Sequence, residues 1–195
     1  MKLIFATNNQ HKIGEIRSIL KDQLEIITLE EAGIKTEIPE PFDTLEENAT
    51  NKSRTIYKMT EMDCFSEDTG LLVDALNGEP GVKSARYAGE ECSFDANIDK
   101  LLSNLAGKQD RTAHFKTVIS LLIKGRETRF EGICEGRIIE EKKGKAGFGY
   151  DPVFIPVGSD KTFAEMTIEE KNKFSHRRKA TEKLETFLTN LLTNS

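Results

Sequence analysis

The chain has 195 residues, 37% hydrophobic and 31% charged, a size and balance that suit a soluble domain with a sizeable apolar interior. Its net charge of −5 excludes a surface built as a whole to coat nucleic acid or an anionic membrane. Three widely spaced cysteines, Cys64, Cys92 and Cys134, match neither a disulfide framework nor a zinc site, and read as reduced thiols of a cytoplasmic protein. The opening "MKLIFATNNQ" turns polar too soon for a signal peptide, and no stretch approaches the roughly 20 apolar residues that span a bilayer.

"KLIFAT" reads as a buried strand, "NNQHK" as a polar turn, and "IGEIRSILKD" as a helix with Ile13, Ile16, Ile19 and Leu20 on one face. "LEIITL" is a second strand, and the two prolines of "IPEPFDT" make a loop. A helix follows over "TLEENATNKSRTIYKMTEM", where Thr44 and Glu47 have capping-box spacing. "DCFSEDTG" is a strand that stops in a turn at Gly70, and "NGEPG" is a further turn. "SFDANIDKLLSNLAG" is a helix capped by Ser93 and stopped by Gly107. "AHFKTVISLLIK", "TRFEGICEG" and "RIIEE" read as three antiparallel strands, with Gly125 between the first two. "KKGKAGFGYDP" is a glycine-rich loop, and Thr167 with Glu170 caps a short helix. The last helix starts at Ser175 and carries an apolar stripe of Ala180, Leu184, Phe187, Leu188 and Leu191. This order is α/β with an antiparallel section, a mixed sheet flanked by helices.

Four polar clusters fall at element ends, where α/β folds place ligands. "TNNQHK" puts backbone amides and Lys12 at a helix start, an arrangement that suits an anion. "SEDTG" puts Glu67 and Asp68 at a strand end, where carboxylates suit Mg²⁺ or the activation of a water. "GFGYD" brings two glycines beside Phe148 and Tyr150, so that a flat ligand is approached by backbone and ring. "EEKNKFSHRRKA" crowds Lys171, Lys173, Arg177, Arg178 and Lys179 within nine positions, with His176 to Arg178 at a helix N-terminus, where cations oppose the macrodipole and an anionic or carbonyl-rich ligand would explain them. Taken singly, each also reads as a solvated turn or face. No Walker loop, GxGxxG, GxSxG or histidine metal spacing is present.

Together, "ATNNQHK", "EDTGLLVDALNGEPGVKSARYAG", "GFGYDPVF" and "EEKNKFSHRRKA" resemble the inosine/xanthosine triphosphate pyrophosphatase family, over residues 3 to about 188. The resemblance implies one nucleotide pyrophosphatase domain over 1–195, α/β, with two lobes that share one elongated mixed β-sheet around a central cleft. It implies a cytoplasmic homodimer that uses Mg²⁺ to split ITP, dITP or XTP into the monophosphate and pyrophosphate, with no nucleic-acid or membrane partner. Carried over by position, Thr7, Asn8, Asn9, Gln10, His11 and Lys12 form the phosphate loop, and Lys52 reaches phosphate. Asp68 is the proton acceptor and a metal ligand, Glu67 its acidic neighbour, and Glu40 a second metal ligand. Thr69 stands where serine is common. Phe148, Gly149, Tyr150 and Asp151 form the base loop, and Lys171, His176 and Arg177 line the base and sugar pocket. Asn8 replaces a common glycine, and Arg178 a common small residue. The alternatives are a Maf-like pyrophosphatase acting on other modified nucleotides, which lacks the "SHR" element, and a nucleotide-binding module without turnover, which needs no water-activating acid.

Overall fold

The structure, a computed structural model, describes residues 1–20, 24–36 and 38–193. Lys21 and Asp22, the expected end of the first helix, lie outside the described residues. Strands β1 (Lys2–Phe5), β2 (Glu25–Thr28), β3 (Cys64–Val73), β4 (Pro80–Gly81), β5 (Thr112–Ile123), β6 (Arg126–Ile138) and β7 (Phe154–Pro156) form a mixed sheet. Its order is β2-β1-β3-β5-β6-β7, with β4 on β3. Among the described residues the α-helices are α1 (Gln10–Ile19), α2 (Leu45–Thr60), α3 (Phe94–Asn104), α4 (Ile168–Asn172) and α5 (His176–Thr193). The α/β expectation holds. No described helix is long and apolar enough to cross a membrane.

The chain divides into two compact units. The first is Met1–Asp68, Thr117–Gly132 and Arg177–Ser195. In it β1 runs parallel to β2 and to β3, with Ile4 opposite Cys64 and Phe5 opposite Phe65. Successive side chains on a strand point to opposite faces. Leu3, Phe5 and Phe65 therefore pack with Ile13 and Ile16 of α1 and Ala180, Leu184 and Leu188 of α5. Ile4 and Cys64 pack on the other face with Ile56 of α2. Phe5 and Phe65 stack at 4.4 Å. Cys64 is inert: its Sγ donates to the Ser53 carbonyl at 3.2 Å, and burial pushes its pKa up to about 12.

The second unit is Thr69–Lys116 and Ile133–His176. Leu71 and Val73 of β3 pack with Ile98 and Leu101 of α3 and with Phe115, Phe154 and Phe163.

Three expectations change. Gln10, His11 and Lys12 are not a turn but the first residues of α1, because Asn9 caps the helix and accepts from the Lys12 N–H at 3.2 Å. β3 does not stop at Gly70; it continues in extended form to Val73 and pairs with β4 from Leu71. "TRFEGICEG" and the start of "RIIEE", as far as Ile138, are one strand, β6. There Gly136 allows close approach, since a Cβ would lie 2.4 Å from the Ile155 carbonyl oxygen and from the Phe154 ring. The caps at Thr44, Ser93 and Thr167 stand as expected. At Thr44 the Glu47 carboxylate accepts from the threonine hydroxyl, at 2.7 Å.

Helix α2 is tied to the β5–β6 hairpin by Glu127. Its carboxylate accepts from Thr50 Oγ1 at 2.5 Å, Ser120 Oγ at 2.8 Å and Arg54 Nη2 at 2.9 Å, while Ser120 meets Ser53 at 2.7 Å. Burial pushes the Glu127 pKa up, but these donors outweigh it and hold the carboxyl below its ordinary 4.5. A depressed carboxyl stabilises the fold above its unfolded value, and that contribution fades as pH falls through the folded one. Glu127→Ala is expected to cost about 1–3 kcal/mol at pH 7, through the donors it strands. Urea unfolding should show the gap to the wild type narrowing below about pH 4.5; a gap constant with pH would exclude an ionised Glu127 as the anchor.

Candidate active site

Glu67 and Asp68 lie in the middle of β3 rather than at its end. β1 pairs with β3 as far as Phe65, and β4 pairs with it from Leu71, so the acids fall in the interval. Strand alternation sends their side chains to opposite faces. Each meets its own cations, all within the first unit.

On the α2 face, the Lys52 ammonium is the hub. Its Nζ lies 2.5 Å from Glu40 Oε1, 3.1 Å from Asp68 Oδ1 and 2.8 Å from the Glu67 carbonyl oxygen. Helix α2 delivers Lys52, β3 delivers Asp68, and the proline-bounded loop delivers Glu40. Burial alone would lower the Lys52 pKa, but Asp68 and Glu40 outweigh it and hold the ammonium charged. Burial raises the pKa of Asp68, against the pull of Lys52 and Lys12.

That donor set fits Mg²⁺, a hard cation usually held by one or two carboxylates together with waters and substrate phosphates. Glu40 and Asp68 converge on one point, where Lys52 now serves as the cation. No cluster of three or more His, Cys, Asp or Glu suited to a metal occurs among the described residues.

On the other face, Glu67 is fully buried and clamped by Arg177. Nε and Nη2 each donate to one carboxylate oxygen at 2.8 Å, and Nη1 donates to Glu15. Lys12 Nζ lies 3.5 Å from Glu67 Oε1. Burial lowers the Lys12 pKa, opposed mainly by Glu67. Arg177, a cation that opposes the α5 macrodipole, thus has counter-charges of its own. Glu15 was not singled out in the sequence, yet it lies three positions after Lys12 on one helix face, a readable signal. In the same loop, Asn9 donates its N–H to Thr7 Oγ1 at 3.2 Å, and Asn8, Gln10 and His11 are exposed. Asn8 is not among the described non-glycine residues with left-handed backbone.

The second unit holds a separate group. Asp151 Oδ2 accepts from the Phe148 N–H at 3.1 Å and from Lys171 Nζ at 2.7 Å. Lys171 also lies 5.5 Å from the Phe148 ring centroid. Gly149 has a left-handed backbone (φ 62°), as such a tight loop requires. The Tyr150 ring is buried, and its hydroxyl donates to the Ser84 carbonyl at 2.9 Å, so it supports the loop from beneath. His176 is buried and stacks on Phe115 at 4.6 Å. Thr69 is half-buried and Arg178 pairs with Glu182 at 2.6 Å. Ser84 and Phe115 carried no signal that sequence reading used.

The chain matches the model of the Ham1 family over residues 3–187. It is 50% identical over 189 residues to the dITP/XTP pyrophosphatase of Flavobacterium johnsoniae, covering 97% of this chain and 98% of that protein. It is 51% identical over 188 residues to the dITP/XTP pyrophosphatase of Porphyromonas gingivalis, covering 96% and 97%. Among solved structures it is similar to the Staphylococcus aureus Ham1 protein, with a TM-score of 0.89, 41% identity and coverage of 97% and 99%. It is also similar to a HAM1 protein from Coxiella burnetii, with a TM-score of 0.90, 37% identity and the same coverage.

Removing one partner of a buried ion pair strands the other charge, at about 3–5 kcal/mol. Arg177→Ala is therefore expected to destabilise the fold by about that much, and adding Glu67→Gln should recover a large part of it. Chemical denaturation of the single and double variants measures the coupling; additive losses would mean that the clamp carries no pair energy.

Proposed function

The chain belongs to the Ham1 family, and from that premise we propose that it hydrolyses non-canonical purine nucleoside triphosphates such as dITP, XTP and ITP to the monophosphate and pyrophosphate. The observation that carries the reading is the Glu40–Lys52–Asp68 group, a water-activating acid beside a buried cation. A binding module without turnover has no use for it. We further read residues 1–195 as one catalytic domain of a cytoplasmic homodimer.

In this reading Asp68 accepts a proton from the water that attacks the α-phosphorus. The bond from that phosphorus to the bridging oxygen breaks, and pyrophosphate leaves with the electron pair. A carboxyl raised by burial is a stronger base than a free aspartate, and a base nearer neutrality transfers protons more efficiently. Glu40 and Asp68 would hold Mg²⁺, which offsets charge on the phosphates. Lys52 and Lys12 face the charge that develops on the leaving group, and the N-terminal amides of α1, with Thr7 to His11, receive phosphate oxygens. Glu67 holds Lys12, and Arg177 and Glu15 hold Glu67 in place.

Base choice falls to the second unit. Hypoxanthine and xanthine offer a 6-oxo acceptor, which suits the ammonium donor of Lys171, whereas adenine offers a 6-amino donor. Phe148 supplies a ring face, Gly149 close backbone approach, and Asp151 fixes both Phe148 and Lys171. Thr69, Tyr150 and His176 complete the nucleotide-binding set, the last two as supports.

Asp68→Asn is nearly isosteric but cannot act as a base. It is expected to fold and to lose about 10²- to 10⁴-fold in kcat for pyrophosphate release from dITP. Near-normal turnover at saturating Mg²⁺ would reject Asp68 as the base. Assembly has its own check: sedimentation at the mass of a single chain would contradict the dimer.

A further inference from the structure

On the reading of Phe148 as a base-facing ring, we propose that Phe94 is a second aromatic wall that makes this surface select purines over pyrimidines, held in position by Lys142. Phe94 is the first residue of α3 and is 40% exposed. Lone exposed phenylalanines are ordinary on protein surfaces. This one is fixed at two points. Its ring lies 6.0 Å from that of Phe148, tilted by 48°. Beside it, Lys142 Nζ reaches Asp95 Oδ1 at 2.9 Å and Asp99 Oδ1 at 2.8 Å, which ties the first two turns of α3 to the chain entering the glycine-rich loop.

Phe148 is equally fixed. Asp151 holds its backbone, and at Gly147 a Cβ would lie 2.0 Å from Asp151 Oδ2, so the loop is closed tightly on that carboxylate. Two tilted rings held in register form a corner. A flat heterocycle that stacks on one ring can present its edge to the other, the favoured aromatic geometry. A purine, with two fused rings, is wide enough to use both; a pyrimidine on Phe148 is not. Lys171 beside Phe148 supplies a donor that either an oxopurine or an oxopyrimidine could accept from, so the polar contact does not separate them. Ring size then falls to Phe94.

The test is calorimetric binding of dIMP and dUMP to the whole chain, because both carry the oxo acceptor and differ in the second ring. Phe94→Ala is expected to weaken dIMP binding about tenfold and to change dUMP binding by no more than about twofold. Phe94→Tyr should restore dIMP binding, and Lys142→Ala should weaken it in the same direction as Phe94→Ala. Unchanged dIMP affinity in Phe94→Ala, or equal losses for both nucleotides, overturns the proposal; no effect of Lys142→Ala overturns the clamp. Wild-type protein that releases no pyrophosphate from dITP or XTP would overturn the pyrophosphatase reading, and dIMP binding would still decide the role of Phe94.

Discussion

Lys52 is an ammonium buried on α2 against a sheet, and everything around the candidate active site follows from having to keep it charged. Desolvation works against the charge, and an uncompensated ammonium in such a place would lose its proton. Two carboxylates and a backbone carbonyl prevent this, at 2.5, 3.1 and 2.8 Å. Each must be delivered from a different element. That need fixes the loop carrying Glu40, the register of β3 at Asp68, and the seating of α2. The last is secured from outside the site by Glu127, whose partners Thr50 and Arg54 lie two positions either side of Lys52.

Much of the first unit was legible because a strand has a period of two. Phe65 and Glu67 share one face, Cys64, Ser66 and Asp68 the other, and the structure sorts their partners accordingly. The apolar stripes of α1 and α5 and the threonine and serine caps were equally plain, since each is local chemistry. What stayed hidden were the distant pairings. Arg177 in "SHRR" has no acidic partner nearby in the sequence; its partners are Glu67, 110 positions away, and Glu15, 162 positions away. Glycine misled for a related reason. Gly70 was read as a turn former, yet it lies in an extended strand, and Gly136, at the break between two segments read as separate strands, lies inside one strand, where the missing Cβ makes room for β7.

The aromatic tyrosine of "GFGYD" shows a further limit. Composition ranks Tyr150 and Phe148 alike as candidates to stack on a base. The structure separates them: Tyr150 turns inward and spends its hydroxyl on the Ser84 carbonyl, while Phe148 meets Phe94 and Lys171. Alternation along an irregular loop has no fixed period, so no sequence rule chooses which ring faces out. Glycines on either side of Phe148, both with left-handed backbone, make that choice.

In the proposed reading, the electrostatic balance at Asp68 resolves an apparent conflict between two duties. As a metal ligand it would be best fully ionised, and as a base it would be best held near neutrality. Burial alone would raise it, and full exposure would leave it a weak base. The neighbouring ammonium groups of Lys52 and Lys12 pull it back without cancelling the effect of burial. Lys52 touches both Glu40 and Asp68, while Lys12 pairs with Glu67. The strand's alternation keeps the Arg177 guanidinium with Glu67 on the opposite face, so its charge is spent there, and the basicity of Asp68 is set by burial against Lys52 and Lys12.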